Sequence, residues 1–124
     1  MARAFIAAGA VLAGIAVVAG AFGAHALSAR VSAERLSTFE IGVRYQMYHA
    51  LALFVVAWTI SQWSGWQFTA AGVLFLAGIL IFSGSLYVLV LTDTPWLGAV
   101  TPLGGVAFIS GWILLAWGAL VAVK

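Results

Sequence analysis

The sequence of 124 residues has few charged side chains and no cysteine. Asp, Glu, Lys and Arg make up 6% of the chain, whereas soluble domains contain about 25%. A soluble domain of this composition would lack a solvating surface. The absence of cysteine excludes disulfides, thiol nucleophiles, iron–sulfur clusters and thiolate metal sites, and it leaves the redox compartment undetermined.

The charges that are present are too scattered for a nucleic-acid interface. Five Lys and Arg against three Asp and Glu give a formal net charge of +2. A protein that neutralises several phosphates needs clustered cations. We therefore expect no nucleic-acid partner. The 65% hydrophobic content instead indicates an integral membrane protein.

Long charge-free runs predict an all-α integral membrane protein, a bundle of four transmembrane helices. Residues 4–24 form an apolar run of 21 residues, and about 20 residues cross a hydrocarbon core. The 48 charge-free residues 45–92 suit two helices with a turn at 62–67, and Pro102 would open a last helix. A short interfacial helical extension would precede the second span. The predicted spans of this single membrane domain, 1–124, are 4–27, 42–62, 68–91 and 102–123, with a connector at 28–41.

Two properties of these spans stay open. The first run has features of a secretory signal peptide, because Arg3 precedes it and residues 24–26 resemble a cleavage site. Its length exceeds the apolar region of such peptides, about 7 to 15 residues, so a membrane span is favoured. The orientation is undecided, because Arg3 and Lys124 compete with three arginines between residues 30 and 44.

Residues 37–40, Ser-Thr-Phe-Glu, match the capping box with which many helices begin. The second helix is therefore expected to have Ser37 as its N-cap. It would carry Glu40, Arg44 and Tyr48 along one stripe, at i, i+4 and i+8. An ion pair is the favoured interpretation of Glu40 and Arg44, with an anion or a lipid headgroup at Arg44 as the alternative.

Nearly all polar side chains of the predicted spans lie near the connector side of the membrane. The end of span 1, the start of span 2, the end of span 3 and the start of span 4 would share that side. We therefore predict a polar pocket that opens toward the connector. Its candidate residues are His25, Glu40, Arg44, Tyr45, Gln46, Tyr48, His49, Ser83, Ser85, Tyr87 and Thr101.

None of these residues forms a pattern typical of catalysis. His25 and His49, without cysteine or a further carboxylate, make a poor metal or haem site, so hydrogen bonding is favoured for both. Ser83 and Ser85 lack the strand–turn–helix that holds a nucleophilic serine, and no phosphate-binding glycine loop is present. A proton-coupled exporter would need a carboxylate in mid-membrane, which no span has. We expect no enzyme activity, no metal and no cofactor.

Small residues recur at four-residue spacing in the first and last spans. They are Ala16, Gly20 and Ala24 in one, and Ala107 and Gly111 in the other. This spacing allows helix backbones to approach closely in lipid. Tight packing within the bundle is the favoured interpretation, and a face for a second copy of the chain is the alternative.

Four sequence blocks carry a family resemblance. They are GAFGAHAL at 20–27, GVRYQMYHALAL at 42–53, FSGSLY at 82–87, and TPLGG at 101–105 followed by Gly111-Trp112. The chain resembles, over essentially its whole length, the family called domain of unknown function 423. These are the YgdD/YwdK-like small inner-membrane proteins of bacteria, with eukaryotic relatives called transmembrane protein 256. The resemblance implies a multi-pass protein of the bacterial inner (plasma) membrane with four spans and no assigned reaction.

Two functional hypotheses follow. The first is a structural or accessory subunit of a membrane complex, whose partners would be the lipid bilayer, other membrane-protein subunits or a second copy. Its basis is that a chain with almost no mass outside the membrane has little room for a catalytic domain. The second is a binding or transport module, whose polar pocket takes a lipid headgroup, a quinone-like molecule or a small anion.

Overall fold

The computed structural model of the protein describes residues 1–123. Lys124, one of the cations weighed for the orientation, lies outside the described residues. Apart from one isolated β-bridge, the regular structure of the described residues is helical. The helices are α1 (Ala2–His25), α2 (Ala33–Gln62), α3 (Trp66–Gly78), α4 (Gly84–Thr92) and α5 (Thr101–Val121).

Shorter helical turns connect these elements. A π-helical turn, Ile79–Ser83, joins α3 and α4 into one continuous rod. Two 3₁₀ turns, Leu27–Ala29 and Pro95–Ala99, follow α1 and α4. The two prolines of the chain, Pro95 and Pro102, both lie in the first turn of a helical segment, where a missing N–H costs no hydrogen bond.

Within residues 1–123, three helical segments are long and apolar enough to cross a membrane: Ala2–Ala29, Trp66–Thr92 and Pro95–Val121. The predicted bundle of four transmembrane helices is therefore wrong. The element that does not qualify is α2, which contains the span predicted at 42–62. The prediction of that span rests on its lack of charge alone. Its polar residues, among them Gln46, His49, Ser61 and Gln62, dilute the hydropathy that a membrane span requires.

The start of α2 also differs from the prediction. Ser32 is the N-cap, and its Oγ accepts a hydrogen bond from the backbone N–H of Arg35 at 3.2 Å. Glu34 lies in the first turn, where its negative charge is stabilised by the positive end of the helix dipole. Ser37 and Glu40 therefore lie within the helix and do not form its cap. The interfacial extension predicted before the second span is simply the first part of the continuous 30-residue α2.

The centre of the molecule is α2 packed against the α3–α4 rod, with α1 lying on α2 and α5 lying on α3. The largest fully buried apolar side chains are Leu53 and Val56 from α2 and Phe68 and Phe75 from α3. This order leaves α1 and α5 on opposite edges. As a consequence, one cleft remains between α2 and α5 and another between α1 and α4.

Two of the small residues noted in the sequence, Ala16 and Gly111, lie at these internal contacts, whereas Ala24 is exposed. Ala16 of α1 is buried. A side chain on Gly111 of α5 would stand 2.7 Å from the ring of Phe75 on α3. Tight packing inside the chain therefore accounts for Ala16 and Gly111.

A single ion pair occurs within residues 1–123, between Arg35 and Asp93, with an N–O distance of 3.2 Å. It joins the first turn of α2 to the residue after α4. Asp93 has a left-handed backbone, with φ of 50°, which ends that helix. The ion pair favoured for Glu40 and Arg44 is not formed, so that interpretation is wrong.

Candidate functional site

Gln46 links three helices through its side-chain amide. It is buried on α2, and its Nε2 donates to the carbonyl of Leu12 on α1 at 2.8 Å. Its Oε1 accepts a hydrogen bond from the Tyr87 hydroxyl on α4 at 2.7 Å. Phe39 packs beside this contact, with its ring centroid 5.0 Å from that of Tyr87. These bonds hold α1, α2 and α4 in one register.

Two serines form hydrogen bonds between the continuous α3–α4 rod and the helices beside it, α2 and α5. Ser83, fully buried in the π turn, donates to the carbonyl of Gly42 on α2 at 2.6 Å. Ser85 lies 2.6 Å from the hydroxyl of Thr101 on α5, and it also donates to the carbonyl of Phe82 at 2.9 Å. These bonds connect the π turn to α2 and the start of α4 to α5.

His49 has both ring nitrogens engaged inside the chain. The Trp112 indole N–H on α5 donates to Nε2 at 3.0 Å, so Nε2 must be the unprotonated nitrogen. Nδ1 then carries the proton and donates to the carbonyl of Tyr45 at 2.7 Å. The imidazole also stacks on Phe108, with ring centroids 3.6 Å apart and planes 8° from parallel. This arrangement specifies a neutral histidine, because a second proton on Nε2 would oppose the indole N–H.

A cleft of about 510 Å³ lies between α2, the π turn and α5. This volume is in the range of small-molecule sites, about 300 to 1,000 Å³. The lining is almost entirely apolar and is formed by Tyr45, Tyr48, His49, Phe82, Gly105, Phe108, Ile109 and Trp112. The structure therefore places an aromatic cleft, which we call the α2–α5 cleft, where the sequence predicted a polar pocket.

A smaller cleft, of about 270 Å³, lies between α1 and α4. Phe39 and Tyr87 form its floor together with Ile15, Val18, Ala19, Phe22 and Leu91. The Tyr87 hydroxyl is already bonded to Gln46. This second cleft therefore offers a ligand little beyond apolar contact.

The candidate residues predicted from the sequence separate into three groups. Tyr45, Tyr48 and His49 line the α2–α5 cleft. A second group forms interhelical hydrogen bonds: Gln46, Ser83, Ser85, Tyr87 and Thr101. The third group is exposed and lines neither cleft: His25, Glu40 and Arg44.

The two histidines do not share a site. Leu12 of α1 bonds to Gln46, so His49 lies level with the residues of α1 near Leu12. His25 lies about a dozen residues further along α1, which at a rise of 1.5 Å per residue is roughly 20 Å away. A single metal ion or haem iron would not reach both imidazoles.

Sequence reasoning missed the wall of the cleft that α5 supplies. Gly105, Phe108, Ile109 and Trp112 fall at i, i+3, i+4 and i+7, which is one face of a helix. That spacing was visible in the sequence. Because every residue in it is apolar or small, it does not stand out in a segment that is apolar throughout.

Comparison with known proteins gives consistent matches. Residues 19–105 match the model of the family described as protein of unknown function DUF423. The UPF0382 membrane protein YwdK of Bacillus subtilis is 50% identical over 92 residues, 73% of this chain and 75% of YwdK. A UPF0382 membrane protein of Staphylococcus aureus is 50% identical over 111 residues, 90% of each chain. One from Staphylococcus saprophyticus is 46% identical over 122 residues, 94% of this chain and 96% of the relative.

No solved structure matches this chain. The relatives are bacterial proteins named as membrane proteins, and residues 1–123 contain three candidate spans. The expected multi-pass location in a bacterial membrane is therefore confirmed. The family resemblance is confirmed as well, and the chain belongs to the DUF423 family of membrane proteins of unknown function.

Proposed function

We propose that this membrane protein is non-catalytic and acts as a structural or accessory subunit of a membrane complex. The observation that carries the proposal is that every buried side-chain nitrogen and oxygen in residues 1–123 has a hydrogen-bond partner. These polar groups hold helices in register, as the bonds of Gln46 and Ser83 do. Polar side chains used in this way support a structural role rather than a reaction.

The outer face of α1 is the surface that a partner would use. In α1 only four of 24 residues are buried: Phe5, Gly9, Ala16 and Gly23. Ala10 and Gly14 are exposed and lie four residues apart, and a Cβ on Gly14 would meet no atom within 4 Å. Such a spacing lets a neighbouring helix approach closely. The neighbour would be a transmembrane helix of another subunit or α1 of a second copy.

Native mass spectrometry of the protein released in discs of its own membrane lipid tests this role. We expect the wild-type chain to co-isolate in fixed ratio with another subunit or a second copy. Gly14→Leu should abolish that association, because it adds bulk to the outer face of α1. Gly84→Leu is the matched control, since Gly84 also has open space around its Cα but lies on α4. A wild-type chain that is released only as a monomer would contradict the proposal.

A second candidate function, a membrane binding module, is favoured by the α2–α5 cleft. Three of the residues predicted for a binding pocket line it: Tyr45, Tyr48 and His49. Its apolar lining disfavours a free small anion, because such a site could not replace the hydration of the ion. The lining suits the apolar part of a lipid or of a quinone-like molecule.

A further inference from the structure

We propose that the α2–α5 cleft holds an acyl chain of an anionic phospholipid whose phosphate is bound by Arg44. This inference rests on the second candidate function and names its ligand. Two features of the molecule carry it: a cation with no ion-pair partner among residues 1–123, one helical turn from the cleft, and a largely apolar groove in which the nitrogens of His49 and Trp112 are already hydrogen-bonded.

Arg44 lies on the same face of α2 as Tyr48, which lines the cleft, because the two are four residues apart. The Arg44 side chain is exposed, and the ion pair within residues 1–123 is formed by Arg35 and Asp93. Glu40, one turn further toward the connector, is exposed and does not pair with it. The guanidinium of Arg44 is thus available to an external anion, and its planar donors match the oxygens of a phosphate.

The position of Arg44 along the neighbouring span fits a lipid headgroup. Val43 packs against Gly20 of α1, nine residues before the candidate span Ala2–Ala29 ends. At 1.5 Å per residue, this places Arg44 roughly 13 Å from that end of the span. A charge at such depth is costly unless it is paired or its side chain reaches the membrane interface. An arginine that binds a lipid phosphate meets both conditions, because its long side chain extends to the interface and its charge is paired there.

The α2–α5 cleft offers an acyl chain a largely apolar wall along α5. Its α5 wall runs from Gly105 to Trp112, roughly 10 Å at 1.5 Å per residue. Gly105 leaves the end nearest Tyr45 open, because a Cβ there would meet no atom within 4 Å. The nitrogens of His49 and Trp112 are bonded to each other or to backbone, so the hydroxyls of Tyr45 and Tyr48 are the polar groups that the lining still offers to a ligand. An acyl chain needs only apolar contact, which this lining supplies.

The test uses the full chain in detergent, titrated with phosphatidylglycerol or phosphatidylcholine of equal chain length, with bound lipid counted by native mass spectrometry. Wild type should retain one phosphatidylglycerol and should bind it about fivefold more tightly than phosphatidylcholine. This is the factor expected for one cation near an anionic headgroup. Arg44→Gln should lose the preference and keep chain binding. Gly105→Leu should lose both lipids. Arg30→Gln and Gly84→Leu, changes at an exposed cation and an open glycine outside the cleft, should behave as wild type.

Ile109→Trp provides a second way to fill the cleft. Ile109 is 62% exposed, so the larger ring is tolerated by the fold and should also displace the lipid. Inorganic phosphate alone should give no adduct. Helix content by circular dichroism confirms that each variant is folded.

Three results would overturn the inference. They are an unchanged headgroup preference in Arg44→Gln, unchanged lipid retention in both folded cleft-filling variants, or an adduct of inorganic phosphate on its own. A different co-purified molecule that is lost in Gly105→Leu would support the binding function of the cleft and exclude a phospholipid as its ligand. A wild-type protein that retains no molecule would contradict both the binding function and the phospholipid.

Discussion

At the scale of single residues, several buried polar side chains of this protein connect one helix to another. Gln46 is the clearest case, because one amide serves α1 and α4 together. His49 is held as a neutral imidazole between Tyr45 and Trp112. In a setting poor in water, such bonds specify position, since a displaced helix would leave each group without a partner.

We predict that Tyr87→Phe lowers the free energy of unfolding by about 1 kcal/mol, the size of a hydrogen bond between membrane helices. The change leaves Gln46 Oε1 without its donor while keeping the aromatic ring. Unfolding in mixed micelles by titration with dodecyl sulfate measures it. Tyr48→Phe is the control: Tyr48 is 53% exposed, and its loss of a hydroxyl should change stability by less than about 0.5 kcal/mol. Equal losses in the two variants would show that the bond to Gln46 contributes nothing.

At the scale of elements, the rod formed by α3 and α4 changes its helix type where α5 touches it. In the π turn, Ile79–Ser83, backbone hydrogen bonds join residues five apart instead of four. This wider turn displaces the backbone locally. Gly104 of α5 packs directly on this segment: a Cβ there would stand 2.8 Å from Cα of Phe82 and closer still to its backbone nitrogen. Glycine is required at this contact, because backbone atoms cannot move aside as a side chain can.

Two adjacent glycines give a matched test of this contact. Gly104→Ala should lower the free energy of unfolding by roughly 1 to 3 kcal/mol, the cost of overpacking a close contact. Gly105→Ala has open space and should be neutral or stabilising by up to about 1 kcal/mol through helix propensity. The dodecyl sulfate titration used for Tyr87 measures both. A stable Gly104→Ala protein would mean that α5 does not approach the π turn this closely.

At the scale of the whole molecule, α1 packs on α2 and α5 packs on α3, so these two helices lie at opposite edges. One cleft remains between α2 and α5, and another between α1 and α4. The end of α5 is tied back to the turn between α2 and α3. Ser64 in that turn forms an isolated antiparallel bridge with Val123, and its N–H donates to the carbonyl of Val123 at 3.5 Å. This contact sets where the C-terminal residues lie relative to the central pair of helices.

We predict that a protein carrying both Ser64→Cys and Val123→Cys forms an intramolecular disulfide. Residues opposed in an antiparallel bridge have Cα atoms about 4.5 to 5.5 Å apart, which is within the span of a disulfide. The natural chain has no cysteine, so the introduced pair has no competitor. Non-reducing mass spectrometry after proteolysis measures the cross-link. Ser64→Cys combined with Leu120→Cys, at a position 86% exposed, should cross-link far less; equal yields would contradict the bridge.

Several features of the fold could be predicted because they depend on composition along the chain. The apolar runs beginning near residues 4, 68 and 102 correspond to the three candidate spans, since helix length and hydropathy are local properties. The same reasoning failed for α2. Absence of charge alone does not make a membrane span, because polar residues such as Gln46 and His49 lower the hydropathy of α2 and are bound by other helices. The N-cap was also misplaced, because Ser32 and Ser37 are both acceptable caps and only the packed helix selects between them.

The sequence by itself determined the helical class and the family, because composition, periodicity and motifs are properties of neighbouring residues. It also drew attention to polar residues, such as Gln46 and Ser83, that form bonds between helices. Only the tertiary structure decided how those residues are used. The partners of Gln46 and His49 lie 34, 41 and 63 positions away, and the aromatic cleft is made from α2, the π turn and α5 together. Hydrogen-bond pairing and cavity lining depend on distances in space, which no local pattern contains.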